Sequence, residues 1–220
     1  MRIVAMGGGG FAMEPRNPRM DRWILSLARR KRPRVMFIGT ASGDAADYIA
    51  RFHRAFARHD CEPSHLALFA RDDKDLRKRI LRQDVIYVGG GNTANLLAIW
   101  RLHGVDAILR DAWSEGVLLC GVSAGAICWF EDGLTDSFGP RLRPLRDGLG
   151  ILPGSFCPHY NARGRRSAYR RFIDAGELAE GHAADDGAAI LFEETRVADV
   201  FTSRAEAHAF RVARGAEHTI

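Results

Sequence analysis

The chain contains 220 residues, of which 46% are hydrophobic and 27% are charged, and its formal net charge is +5 at pH 7. This length and composition are ordinary for a globular protein with a sizeable core, and they exclude a disordered chain, a collagen-like repeat and a small disulfide-stapled scaffold. We expect a single domain over residues 1–220, because no repeat and no low-complexity linker divides the sequence.

Neither a membrane segment nor a leader peptide is expected. The longest stretch without a charged residue, 116–130, is shorter than the ~20 apolar residues that span a bilayer. The first apolar strand runs directly into glycines, without the basic and long apolar regions of a signal peptide. The four cysteines, at positions 61, 120, 128 and 157, lack the spacing of metal sites, so we expect reduced thiols and a cytoplasmic protein.

The basic residues do not indicate a nucleic-acid partner. They cluster at 29–34 and at 163–171, and neither cluster carries a known nucleic-acid-binding motif. The first cluster follows a predicted helix, where cations interact favourably with the helix dipole. We therefore expect neither nucleic acid nor a membrane as a partner, and the sequence is compatible with a homodimer.

Strands and helices alternate along the chain. The expected strands lie at 2–6, 35–38, 65–70, 85–88 and 117–120, and the expected helices at 20–30, 45–59, 74–82, 94–102 and 105–114. A helix should begin at Ala124, and a loop follows at 133–146. Beyond it we expect a strand near Phe156, a basic helix from about Arg166, and strands at 188–192, 198–201 and 207–212. This alternation predicts an α/β fold with a doubly wound, mostly parallel sheet flanked by helices.

Three glycine-rich turns follow predicted strands, at Gly7–Gly10, Gly89–Asn92 and Gly121–Gly125. Because active sites in such sheets lie at the carboxyl ends of strands, we expect the three turns to meet there. The first turn resembles a dinucleotide-binding fingerprint only loosely, since Ala12 stands at the third glycine position and no acidic residue ends the second strand. We therefore expect no nicotinamide cofactor, and no other cofactor or metal.

The third turn contains a complete GxSxG motif around Ser123, between a buried strand and a helix. Glycines on both sides of the serine allow the strand and the helix to approach, so that the hydroxyl points outward from a sharp turn. The motif and its context predict that Ser123 is a nucleophile.

A serine nucleophile needs a base, and the base needs a group that orients it. Of the eight histidines, His159 follows a short apolar strand and is the best candidate for the base. Three acidic residues in the segment after the nucleophile could orient it: Glu131, Asp132 and Asp136. The backbone N–H of Ala124, directly after the serine, is expected to face the oxyanion.

Four segments follow one another along the chain, at 88–93, 121–126, Thr135–Asp136 and Pro158–His159. In this order and spacing they resemble the peptidase E family, which is peptidase family S51 and contains aspartyl dipeptidases and cyanophycinases. The resemblance covers nearly the whole chain. It implies a fold similar to that of class I glutamine amidotransferases. It also implies hydrolysis of short peptides with an N-terminal aspartate, without a metal or cofactor.

The resemblance also implies roles for individual residues. Ser123 would be the nucleophile, His159 the base and Asp136 the third member, with Gly91 as the second oxyanion donor. Asn92 and Arg166 would bind the substrate, and the neighbouring arginines at 163, 165 and 170 are alternatives to Arg166. The sequence departs from the family at 128–133, where a threonine-rich segment is replaced, which leaves Glu131 as an alternative to Asp136.

The resulting hypothesis is a serine exopeptidase that releases an N-terminal acidic residue through an acyl-enzyme. One alternative is a cyanophycinase-like hydrolase of β-aspartyl linkages. A second alternative, from a different functional class, is a non-catalytic amidotransferase-like binding module, which would keep the glycine turns but would need no base.

Overall fold

The structure is a computed structural model in which residues 1–71 and 75–220 are described, and it contains two β-sheets with helices packed against them. The strands are β1 (Arg2–Met6), β2 (Arg34–Ile38), β3 (Glu62–Leu66), β4 (Val85–Val88), β5 (Leu118–Val122), β6 (Phe130–Thr135), β7 (Arg143–Leu145), β8 (Leu152–Cys157), β9 (Gly181–Ala184), β10 (Ala188–Glu193), β11 (Arg196–Thr202), β12 (Ala209–Ala213) and β13 (Ala216–Thr219). The α-helices are α1 (Gly10–Met13), α2 (Arg19–Ser26), α3 (Ala46–Phe56), α4 (Leu76–Leu81), α5 (Thr93–His103), α6 (Val105–Ser114), α7 (Ala124–Ile127) and α8 (Arg165–Asp174).

The first sheet has seven strands in the order β11-β10-β1-β5-β4-β2-β3. The neighbouring strands β1, β5, β4, β2 and β3 all pair in parallel. On the other side of β1, β10 pairs antiparallel with β1 and β11 pairs antiparallel with β10. All five residues of β5 are buried, as the continuous apolar sequence of this strand predicts for a strand covered on both faces. The carboxyl ends of β1, β4 and β5 therefore lie side by side at one edge.

The second sheet has six strands in the order β13-β12-β9-β8-β6-β7. Its central pairings, β6 with β8 and β8 with β9, are parallel, and its outer pairings are antiparallel. Phe130 of β6 and Phe156 of β8 stack with ring centroids 5.0 Å apart, and Phe130 also contacts Phe192 of β10. The two sheets thus share one buried apolar cluster.

A second buried cluster lies on the opposite face of the first sheet and is rich in aromatic residues. Phe11, in the short helix α1, stands at its centre, with its ring 5.3 to 5.8 Å from the rings of Phe37, Tyr48, Phe52, Phe56 and Tyr87. Burial of one aromatic side chain stabilises a fold by about 1.5–3 kcal/mol relative to exposure. Phe11 therefore anchors the glycine-rich turn that precedes it.

The predicted α/β class with a mostly parallel, helix-flanked sheet is confirmed, but several local expectations differ from the structure. The strand expected at 65–70 lies at 62–66, and the expected loop at 133–146 contains the end of β6 and all of β7. The helix expected at 74–82 is α4, and Lys74 lies outside the described residues. None of the helices in the described part of the chain is long and apolar enough to cross a membrane.

Asp21 of α2 is a carboxyl group inside the aromatic layer, only 2% exposed. Gly10 packs closely against this group. A Cβ on Gly10 would lie 2.9 Å from the Asp21 Oδ1 atom and 2.6 Å from the Tyr87 hydroxyl. Burial raises the pKa of Asp21 from 3.8 to about 7. The native state therefore holds a proton on this group that the unfolded chain releases at lower pH.

We expect Asp21 to make the protein less stable as the pH rises from about 4 to about 7, because the native carboxyl must then ionise without water. Asp21→Asn removes this effect. The free energy of unfolding of the variant minus that of wild type should therefore be about 3 kcal/mol larger at pH 8 than at pH 5. Urea unfolding of both proteins at the two pH values measures the difference. Parallel pH dependences would show that Asp21 is ionised in the native protein.

Candidate active site

Ser123 lies on the sharp turn between β5 and α7, with the positive backbone angle φ of 56°. This conformation is uncommon for a residue other than glycine, and its cost is of order 1–3 kcal/mol. The flanking glycines make the turn possible, since a Cβ on Gly121 would lie 1.9 Å from the Gly125 carbonyl oxygen, and one on Gly125 would lie 2.5 Å from that of Val88. The Ser123 N–H donates to the Met6 carbonyl at 3.1 Å, which ties the turn to β1.

His159 follows β8 and brings its imidazole to Ser123. The distance from the His159 Nε2 atom to Ser123 Oγ is 2.9 Å, a hydrogen bond in which the hydroxyl donates when Nε2 is unprotonated. His159 also has a positive φ, 51°, and its backbone N–H donates to the Gly7 carbonyl at 3.2 Å. The predicted nucleophile and base are thus in contact.

Asp186, directly before the Gly187 turn into β10, occupies the other side of the imidazole. The distance from its Oδ1 atom to His159 Nδ1 is 2.6 Å, so the Nδ1–H donates to this carboxylate. This hydrogen bond lowers the pKa of Asp186, and the charges of His159, Arg204 and Arg165 act in the same direction against partial burial. Asp186 is therefore ionised at neutral pH and fixes the imidazole tautomer that leaves Nε2 free to accept a proton.

The turn after β1 holds all three segments together. Its Met6 carbonyl accepts from Ser123, its Gly7 carbonyl accepts from His159, and its Gly8 carbonyl accepts from the Gly187 N–H at 2.9 Å. A Cβ on Gly8 would lie 2.0 Å from the Asp186 carboxylate oxygen. Gly8 must therefore have no side chain if Asp186 is to reach the imidazole.

The structure places Asp186 against His159 and brings none of the three expected carboxylates into a hydrogen bond with it. Asp136 directly follows the carboxyl end of β6, but its carboxylate accepts a hydrogen bond from the Arg165 guanidinium at 3.1 Å. Glu131 lies near the start of β6, where its Oε2 atom accepts from the Gly154 N–H at 2.8 Å. Asp132 likewise accepts a backbone N–H, that of Ala179, at 3.1 Å. The helix after Ser123 ends at Ile127, so Glu131 and Asp132 enter a strand instead of the last helical turn next to the site.

Asp186 was not among the residues selected from the sequence. The available signal is its position directly before Gly187 and an apolar strand. In a parallel sheet, the start of a strand lies at the edge opposite the active site. Because β10 pairs antiparallel with β1, its start lies instead where β1 ends.

The glycine turn after β4 lies against Ser123. A Cβ on Gly90 would be 3.4 Å from the Ser123 Cβ, and one on Gly91, whose φ is 142°, would be 2.1 Å from the Ala41 carbonyl oxygen. Both amide ends of Asn92 are engaged: Oδ1 accepts from the Asn95 N–H and Nδ2 donates to the Ser137 carbonyl, each at 2.9 Å. Asn92 therefore caps α5 and holds the loop after β6, which is a structural use different from the expected substrate contact.

The expected substrate-binding arginine is also engaged elsewhere. Arg166 forms an ion pair with Glu217, whose side chain is 9% exposed, and it lies over the rings of Tyr160 and Phe210 at 5.7 and 5.3 Å. Its neighbour Arg165 points to the other side, toward Asp136, and is close enough to Asp186 to help lower the pKa of that carboxyl. Of the two arginines, Arg165 is therefore the one that faces the site.

Metal-ligating side chains do not cluster in the described part of the chain: no group of three or more histidine, cysteine, aspartate or glutamate residues could hold an ion. The four cysteines are free and buried. Burial raises the pKa of Cys61 to about 11 and those of the other three well above the ordinary value, so none is a thiolate at neutral pH.

Comparison with known proteins identifies the family of this chain. The sequence model of peptidase family S51 matches residues 3–200. The chain belongs to peptidase family S51. It is 53% identical to the uncharacterized peptidase YgaJ of Bacillus subtilis over 220 residues, which are 100% of this chain and 94% of that protein. The resemblance to peptidase E is therefore confirmed at the level of the family, and the protein is a peptidase.

Two further matches support the family and the fold. A stretch of 89 residues is 34% identical to peptidase E of Shewanella denitrificans and covers 40% of this chain and 38% of that protein. The crystal structure of a peptidase from an acI-B1 Actinobacterium superposes with a TM-score of 0.70 over 100% of this chain and 96% of that chain, at 18% identity. At this low identity the structural match shows the fold alone.

We expect Gly8→Ala to separate Asp186 from His159, because the added methyl group would occupy the position of the carboxylate oxygen. The rate at which a fluorophosphonate labels Ser123 should fall by up to ~10⁴, the loss that follows removal of the orienting carboxylate. The double variant Gly8→Ala/Asp186→Asn should react no more slowly than Asp186→Asn alone, since both changes break one contact. Independent, multiplying losses would show that Gly8 does not act through Asp186.

Proposed function

We propose that the protein is a serine peptidase in which Ser123, His159 and Asp186 form the catalytic triad. The observation that supports this is the unbroken line of hydrogen bonds, 2.9 Å from Ser123 to His159 and 2.6 Å from His159 to Asp186. Ser123 Oγ attacks the scissile carbonyl while His159 Nε2 takes its proton, and His159 then gives that proton to the leaving amine. A water molecule, activated by the same imidazole, hydrolyses the acyl-enzyme.

Two backbone N–H groups are proposed to stabilise the oxyanion, those of Ala124 and Gly91. Ala124 directly follows the nucleophile at the first position of α7, and Gly91 belongs to the turn that lies against Ser123. Backbone donors fixed before the reaction stabilise the developing charge, and removal of one such donor costs about 2.7–4 kcal/mol in related sites. The closely packed Ala41 carbonyl next to Gly91 keeps this turn free of a side chain.

The proposed substrate is a short peptide with an N-terminal aspartate. Relatives of this chain are named peptidase E, and the site contains a cation, Arg165, whose side chain is 12% exposed. The Nη1 atom of Arg165 is buried and has no hydrogen-bond partner among the described residues. The charge of Arg165 also acts on Asp186, so this guanidinium is close to the proposed triad. Arg165 thus replaces Arg166 as the proposed acid-binding residue.

The triad proposal predicts that Ser123→Ala abolishes peptide hydrolysis, by on the order of 10⁶ in kcat, and that Asp186→Asn lowers kcat by about 10⁴. Glu131→Gln is the matched control, because its amide oxygen can still accept from the Gly154 N–H and the residue is remote from His159. Hydrolysis of aspartyl dipeptides and fluorophosphonate labelling measure the two effects. Unlabelled wild-type Ser123, with hydrolysis unchanged in Ser123→Ala, would contradict the proposed triad, and cleavage of β-aspartyl but not α-aspartyl peptides would favour the cyanophycinase-like alternative.

The substrate proposal predicts a selective effect of Arg165→Lys. A lysine keeps the charge but loses the planar pair of donors that binds a carboxylate, so KM should rise more for Asp-Leu than for Ala-Leu, by about 10-fold or more. Arg166→Lys is the control, because that side chain pairs with Glu217 away from the site. Equal changes in KM for both dipeptides would contradict an acid-binding role for Arg165.

A further inference from the structure

The Asp136–Arg165 ion pair lies near the proposed triad and is not part of it. Arg165 is in the first turn of α8, six residues after His159, and its charge reaches Asp186. On the other side, Ser137 next to Asp136 binds the start of α5: its Oγ accepts from the Thr93 N–H at 2.9 Å. The pair therefore spans the distance between the segment that carries the base and the turn proposed to stabilise the oxyanion.

The two partners differ in exposure. The Arg165 side chain is 12% exposed and the Asp136 side chain 57% exposed, so the cation is mostly buried and the anion is open to solvent. Only the Oδ2 atom of Asp136 is bonded within the part of the chain that the structure describes, which leaves Oδ1 available to a ligand. Asp136 is held in place from behind, because the Thr135 and Ser137 hydroxyls are hydrogen-bonded to each other at 2.7 Å.

The other acidic residues of β6 and the site have different partners. Glu131 and Asp132 accept the backbone N–H groups of Gly154 and Ala179, and the Asp186 carboxylate is bonded to His159. Among these four carboxylates, Asp136 is the one that is paired with the Arg165 guanidinium, the group proposed to bind the substrate's acidic side chain.

We propose that Asp136 binds the free α-ammonium group of the substrate and thereby makes the enzyme an exopeptidase. This inference rests on the proposed function and names the group that recognises the amino terminus. An N-terminal acidic residue carries an ammonium and a carboxylate on neighbouring carbons, so it is complementary to an adjacent anion and cation. The ammonium bonds Asp136 Oδ1, the side-chain carboxylate bonds Arg165, and the ion pair between the two protein groups persists.

This arrangement separates the two kinds of specificity. Asp136 reads the charge of the amino terminus regardless of the first side chain, and Arg165 reads the acidic side chain. A peptide whose amine is acetylated, or whose chain continues beyond the amino-terminal residue, offers no ammonium group to Asp136 Oδ1. Such substrates lack one charge-assisted hydrogen bond, which weakens their binding.

The test compares four substrates, Asp-Leu, Ala-Leu and their N-acetyl forms, with the wild-type enzyme and its variants. In wild type we expect kcat/KM to be about 10- to 100-fold higher for the free amines. Asp136→Asn should remove most of this preference with both Asp and Ala peptides. Arg165→Lys should instead change the ratio of kcat/KM for Asp-Leu to kcat/KM for Ala-Leu, and it should keep the preference for a free amine. Asp136→Glu should restore part of the preference, because it keeps the charge.

Asp132→Asn is the matched control, since it removes a carboxylate on the same strand that binds only a backbone N–H, and its preference for the free amine should equal that of wild type. The inference is overturned if Asp136→Asn lowers kcat/KM equally for free and acetylated peptides. It is also overturned if this variant changes only the preference for Asp-Leu over Ala-Leu. Fluorophosphonate labelling of wild-type Ser123 tests the proposed function separately: labelled Ser123 with an unchanged preference in Asp136→Asn rejects only the role of Asp136.

Discussion

The site depends on how closely the backbone of the turn after β1 approaches three other segments. Successive carbonyl groups of Met6, Gly7 and Gly8 accept the N–H groups of Ser123, His159 and Gly187. The Asp186 carboxylate occupies the position where a side chain on Gly8 would stand. Because these three hydrogen bonds come from one short stretch of chain, the positions of Ser123, His159 and Asp186 are fixed relative to one another. Phe11, immediately beyond the turn and buried among five aromatic rings, fixes that stretch to the core.

The surroundings give three aspartates different properties. Asp21 is enclosed by apolar and aromatic groups, and burial raises its pKa to about 7. Asp186 is also partly buried, but its hydrogen bond with His159 lowers its pKa and keeps it charged at the pH where the base must be neutral. Asp136 pairs with Arg165 and is more than half exposed, so its carboxylate is in contact with solvent. Residue type alone does not separate these roles.

The sequence determined the fold class, and it selected two residues, Ser123 and His159, that the structure brings into contact. The alternation of apolar strands with amphipathic helices predicts the parallel part of the first sheet, because periodicity is a local property that persists in the folded protein. The GxSxG turn is equally local: the glycines around Ser123 are required by the steric contacts of a strand with the helix that follows it. His159 was identified by its place after an apolar strand, and the structure brings it to 2.9 Å from Ser123.

Tertiary structure decided the partner of His159 and the use of the arginines. Asp186 is 27 residues beyond His159 and reaches it only because β10 runs antiparallel to β1, which puts the start of that strand at the edge where β1 ends. Strand direction depends on contacts between distant segments, so no local pattern around Asp186 indicates it. Arg165 and Arg166 are adjacent in an arginine-rich helix, and only the packing of α8 directs one toward Asp136 and the other toward Glu217. Local sequence specifies which residue types are present at the end of a strand. The packing of the two sheets specifies which of these strand ends come together, and therefore which side chains touch.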